Sequence, residues 1–144
     1  MSREAIATAL YSLLNTPLLS AGAVSFSRRL DHWTDVPAIE QPSVYLAQGN
    51  MTPTRLGNNM PAKWSTIFKL YIYAWENDNA AAPATKLNAL IDAAETALNT
   101  GLSDGKQTLG GIAAHAFIQG TIETDEGLLG AQCMAVVPIE VFYS

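Results

Sequence analysis

The chain has 144 residues, of which 49% are hydrophobic and 15% charged, and a formal net charge of −5. That length suits a single domain with a real core, and the acidic balance argues against general nucleic-acid binding, which runs on neutralising phosphates with Lys and Arg. Its one cysteine, Cys133, excludes an intrachain disulfide and a cysteine-built metal site.

No apolar run reaches the length of a membrane span. The start, MSREAIATAL, lacks the apolar core of a secretory leader, so no leader is expected. Many apolar residues with few charges point to surface buried against other copies or partners. Cys133 sits in the run AQCMAVV, which marks a buried, inert thiol.

In chain order, Ser2 to Asn15 reads as a helix. Ser2 caps it, Ile6, Leu10, Leu13 and Leu14 form its apolar stripe, and Thr16-Pro17 is expected to stop it. Val24 to Leu30 reads as a short strand and Asp31 to Pro42 as a polar loop with an exposed aromatic, Trp33. Ser43 to Gln48 is a second strand. Gly49 to Ala62, with two glycines, two prolines and three asparagines, reads as a long mobile loop or hairpin extension.

Lys63 to Glu76, KWSTIFKLYIYAWE, is the central strand. Trp64, Thr66, Phe68, Leu70, Ile72 and Ala74 share one face; Ser65, Ile67, Lys69, Tyr71, Tyr73 and Trp75 share the other. Both faces are largely apolar, which predicts cover on both sides, from this chain or from another copy. Asn77 to Ala82, with Asp78 and Asn79, is a turn. Pro83 opens a helix carrying Leu87, Leu90, Ile91, Ala94 and Leu98 at helical spacing. Ile112 to Glu123 alternates as a strand, Thr124 to Gly130 reads as a turn, and Ala131 to Tyr143 is the last strand. Cys133, Ala135, Val137, Ile139 and Val141 share a face there, and Pro138 predicts a bulge or an edge position. The expected fold class is α+β: one domain, with a mixed, mainly antiparallel sheet of about five strands and two helices on one face.

Little in the chain carries chemistry. His32, beside Asp31 and near Asp35, is followed by a second histidine only at His115, and no metal spacing joins them. No phosphate-binding glycine motif and no nucleophile elbow is present. Catalytic, cofactor and metal sites are therefore expected to be absent. Arg28 and Arg29 read as one solvated arginine and one ion-paired arginine, or else as contacts to an acidic partner.

Five segments in order carry a resemblance: SRRLDHWTDVPAIEQPSVYLAQG, PAKWSTIFKLYIYAWE, the helix ending ETAL, QTLGGIAAHAFIQGTIETDEG and VVPIEVFY. Together they cover nearly the whole chain. The arginine pair, the W-x-D-V-P loop and the Q-P strand are the strongest part. The chain resembles the tail terminator, or tail completion, proteins of long-tailed bacteriophages and prophages.

The resemblance implies a virion tail protein assembled in the bacterial cytoplasm. It would form a homo-oligomeric ring, usually of six subunits, on the last ring of the major tail tube protein. There it would end polymerisation and present a surface to the head–tail connector protein, with no enzyme activity and no membrane. Six copies at −5 give a ring of about −30, so DNA would pass the lumen without being held. Under this reading the contact residues are Arg28, Arg29, Trp33, Met51, Arg55, Lys69, Tyr71, Tyr73 and Trp75, and Glu123, Asp125 and Glu126 line an acidic lumen. Another neck or head-completion ring, or a ligand-binding module or small enzyme of a bacterial host, are the alternatives.

Overall fold

The alternation in the central stretch does produce a strand, and the sheet is built around it. The computed structural model describes residues 2–78 and 80–144. Its elements are α1 (Arg3–Ser20), β1 (Ser25–Ser27), β2 (Ser43–Thr54), β3 (Lys63–Trp75), α2 (Ala84–Leu98), β4 (His115–Ile118), β5 (Glu123–Leu129) and β6 (Gln132–Tyr143). The sheet runs β1-β2-β3-β6-β4, with β5 also paired to β6. Only β1–β2 is parallel; the other pairings are antiparallel. This is the expected α+β class with six strands rather than five. Strands β3 and β4, joined through α2, run in the same direction with β6 between them, so the helix crosses over to a parallel strand that is not an immediate neighbour.

Both helices lie on one face. Thr66, Phe68, Leu70, Ile72 and Ala74 of β3 are buried beneath them, together with Cys133, Ala135, Val137, Ile139 and Val141 of β6. From the helices come Ile6, Leu10, Leu14 and Leu18, then Leu87, Leu90, Ala94 and Leu98. Cys133 is fully buried, and burial, followed by the nearby Glu126 and Asp125 carboxylates, pushes its thiol pKa up, which keeps it protonated and unreactive.

Several boundaries differ from expectation. Helix α1 does not stop at Asn15 but passes through Pro17 to Ser20. Leu18, beyond the proline, is fully buried on the stripe of Leu10 and Leu14, so packing outweighs the missing donor. The helix ends at Gly22 (φ 114°), where the Ala23 N–H returns to the Leu18 carbonyl at 3.1 Å. The first strand shrinks from Val24–Leu30 to Ser25–Ser27, because Arg28 turns aside to Glu4 on α1. Tyr11 anchors it, stacking on Phe26 at 4.5 Å and donating to the Phe26 carbonyl at 2.7 Å.

The segment Gly49 to Ala62 is not simply a loop. Strand β2 continues to Thr54, and Met51–Thr54 pair with Lys63–Thr66 as a projecting hairpin arm. A register shift between Gln48 and Met51 starts the arm. A Cβ on Gly49 would stand 2.6 Å from the Ile67 carbonyl oxygen, so only glycine fits the bulge. Gly49→Ala is expected to cost about 1–2 kcal/mol and to disorder the arm; denaturant melts and amide exchange of 50–66 check this.

The expected strand Ile112–Glu123 and turn Thr124–Gly130 are replaced by two strands. β4 and β5 pair with successive parts of β6 and separate at Gly120 (φ 99°). Pro138 lies opposite that gap, where its carbonyl accepts from Gln119 N–H at 3.1 Å. The proline therefore sits in an inner strand, at the point where one neighbour hands over to the next. In the turn after β3, Glu76 Oε1 accepts from Asp78 N–H at 2.9 Å and Asp78 Oδ1 from Ala80 N–H at 2.9 Å; Asn79 lies outside the described residues.

Candidate assembly surface

The face of the sheet away from the helices is where the sequence places most contact residues. Its cover is partial. The loop after β1 folds back, and Val36 packs on Tyr45 and Tyr73, with Trp33, Tyr71 and Met134 half-buried around them. Trp33 is thus part of this chain's own second cluster and not the free aromatic its loop suggested. Tyr73 is buried at 3% exposure, lies 5.3 Å from the Tyr45 ring and donates its hydroxyl to the Asp31 carbonyl at 2.8 Å. Burial, with the Tyr45, Tyr71 and Asp31 charges behind it, raises its pKa to about 12. Tyr73 is therefore covered by its own chain. Lys69 and Trp75 are exposed and Tyr71 half-exposed, as a contact surface requires.

The arginine pair resolves into unlike members. Arg28 forms a two-pronged ion pair with Glu4 of α1, its second contact being Nη2 to Oε1 at 3.1 Å. Hydrogen bonding to that guanidinium holds the Glu4 carboxyl below the usual carboxylate range and raises Arg28. Arg29 is exposed. Arg28 thus pins α1 to the end of β1, the structural option the sequence left open.

The acidic residues do not form one cluster. Glu123 and Asp125 pair with Val136 and Met134 and so share the face away from the helices. Glu126 lies on the helix side, where its Oε2 accepts from Ala84 N–H at 2.8 Å and caps the start of α2. Asp125 Oδ1 accepts from Leu128 N–H at 3.0 Å. Two of the three carboxylates thus have structural tasks, and they stand on a strand rather than at a turn tip.

Two further surfaces stand out: the segment Gly49–Ala62, which the sequence named with Met51 and Arg55, and a cleft it did not. One is the tip of the β2–β3 arm. Leu56 is 77% and Met60 51% exposed, beside Arg55, whose Nη1 donates to the Met60 carbonyl at 3.2 Å. Met51 is half-buried at the arm's base. The other surface is a cleft of about 430 Å³ between the end of α2 and β4, lined by Glu95, Leu98, Leu102, Phe117, Ile118 and Ile122 among others. His115 also lines it, and its Nδ1 is buried without a hydrogen-bond partner among the described residues. The alternation in Ile112–Glu123 signalled the strand, but nothing local signalled the cleft, because its two walls are distant in sequence.

No family model matches the chain, and no curated protein matches it. Among solved structures, a chain of the virion of native gene transfer agent (GTA) particle shares the fold, with a TM-score of 0.57 at 13% identity, covering 94% of this chain and 92% of that one.

Proposed function

We propose that this protein is a structural component of a phage-like virion, acting as the ring that caps the tail tube, ends its polymerisation and presents a surface to the head connector. The observation that carries this is the fold shared, over nearly the full length of both chains, with a component of a gene transfer agent virion. The resemblance of the arginine pair, the W-x-D-V-P loop and the central strand to tail terminators narrows it from virion protein to terminator. The face of β3 with Lys69, Tyr71 and Trp75, half-covered within one chain, supports a role in assembly, because interface cores favour Tyr and Trp. In this reading the protein performs no catalysis.

Removing the gene from a particle-producing strain tests the proposal. Overlong, headless tails under negative stain are the expected result. Tails of normal length that lack heads would instead indicate a head-completion or neck ring, and intact particles would exclude both.

A further inference from the structure

The charge of this chain is unevenly placed. Between Glu40 and Glu76 there is no acidic residue, but three basic ones, Arg55, Lys63 and Lys69. From Asp92 onward there are seven acidic residues, Asp92, Glu95, Asp104, Glu123, Asp125, Glu126 and Glu140, against Lys106 alone. The sheet turns this linear asymmetry into a spatial one. The basic stretch forms β2, β3 and their projecting arm towards one side, while the acidic stretch forms α2's second half, β4, β5 and β6 towards the other.

Each side also carries what the other lacks. The arm tip displays Leu56 and Met60 beside Arg55. The cleft at the opposite edge carries apolar side chains, Leu98, Leu102, Ile118 and Ile122, on walls that also hold Glu95, Asn99 and His115. Strand β4 pairs with β6 on one side and lines the cleft with the rest of its surface. At about 430 Å³ the cleft falls within the range that admits compact ligands or a few side chains, about 300–1,000 Å³.

The arm springs from a row that also reaches the cleft wall, and its tip projects beyond that row. Met51 pairs with Thr66, Thr66 with Val141, and Val141 with Ala116. One transverse row of the sheet therefore runs from the base of the arm to the strand that walls the cleft. A contact between unlike surfaces, repeated by rotation, closes into a ring when the rotation returns to its start.

We infer that the arm tip of one copy docks in the α2–β4 cleft of the next, with Leu56 and Met60 among the apolar cleft residues and Arg55 towards Glu95. This rests on the ring reading above and names its subunit contact. The occupant is a second copy of this chain, since the complementary charges, Arg55 and Glu95, and apolar side chains to meet both occur on one molecule. Charge complementarity makes the contact salt-sensitive and sets its register.

Sedimentation of the full chain at low ionic strength and millimolar concentration tests it. Wild type is expected to associate, less so as salt rises. R55E and E95R should each weaken association about tenfold, and R55E/E95R should recover most of it, because the pair is restored with its signs exchanged. L56D, at an exposed loop tip where folding is unaffected, should leave monomers, as should L102D in the cleft. Mixed one to one, those two variants should give dimers and nothing larger, since one intact tip and one intact cleft remain. A monomeric wild type, variants that associate like wild type, or a mixture that stays monomeric would each overturn the contact. Rings that still form with the L56D variant would remove this contact but leave the capping function, which the gene deletion tests separately.

Discussion

Leu70→Ala is expected to destabilise the fold by about 3–5 kcal/mol and to lower the melting temperature by roughly 10 °C or more. Leu70 is fully buried at the centre of β3, between Leu46 on β2 and Val137 on β6, beneath the helices. Removing its branched end deletes apolar burial and leaves a cavity that three paired strands cannot collapse to fill. Lys69→Ala, one residue away on the opposite face, is exposed and should stay within about 0.5 kcal/mol. Chemical denaturation of the two variants measures the contrast. Equal losses would show that the two faces of β3 are not divided into a core face and a surface face.

Gln132→Leu is expected to cost about 1–3 kcal/mol, although it replaces a buried polar group with an apolar one of similar size. Gln132 and Gln41 form a reciprocal amide pair across 91 residues. Gln132 Nε2 donates to Gln41 Oε1 at 2.9 Å, and Gln41 Nε2 donates to Gln132 Oε1 at 2.8 Å. Gln132 Nε2 also reaches the Ala74 carbonyl at 3.2 Å, and Gln41 Nε2 the Val36 carbonyl at 3.0 Å. Both side chains are buried, so losing Gln132 leaves the Gln41 Oε1 without its donor and the Gln41 Nε2 with the Val36 carbonyl alone. The double variant Gln41→Leu/Gln132→Leu should recover part of the loss, because the orphaned amide goes with it; equilibrium melts of the four forms make the cycle. The pair also holds the loop carrying Trp33 and Val36 onto the sheet, so Trp33 fluorescence should shift in the single variant.

The regular elements were legible wherever their own spacing recorded which side is buried. In β3 the even-numbered residues from Thr66 to Ala74 are buried as a set. In α2, Leu87, Leu90, Ala94 and Leu98 face the core as their spacing required. In β6 the five odd-numbered residues from Cys133 to Val141 do the same. Each pattern repeats with the period of its element, so one stretch suffices to read it.

What was misread depends on contacts from elsewhere in the chain. Pro17 would end an isolated helix, but Leu18 is buried under the sheet and carries α1 onward. Thr124 to Gly130 looks like a turn, yet β6 supplies a ladder for Glu123–Leu129 and α2 supplies the N–H that Glu126 caps. Tyr73 was placed on the correct face without its cover, since strand period assigns a face and not the loop that comes to lie on it.

The contact surfaces divide in the same way. Lys69, Tyr71 and Trp75 were readable as one face of the strand, and the structure leaves them exposed or half-exposed. The arm segment was readable as a hairpin extension carrying Arg55, but its projection from the bulge at Gly49 was not, and the cleft was not, because it needs α2 and β4 brought side by side. From the sequence alone come the α+β class, the central strand with its two faces and the acidic balance of the whole. The placing of Arg55 on a projecting arm and of Glu95 beside a cleft at the far edge comes from sheet order and register, which are set by pairing between residues far apart in the chain.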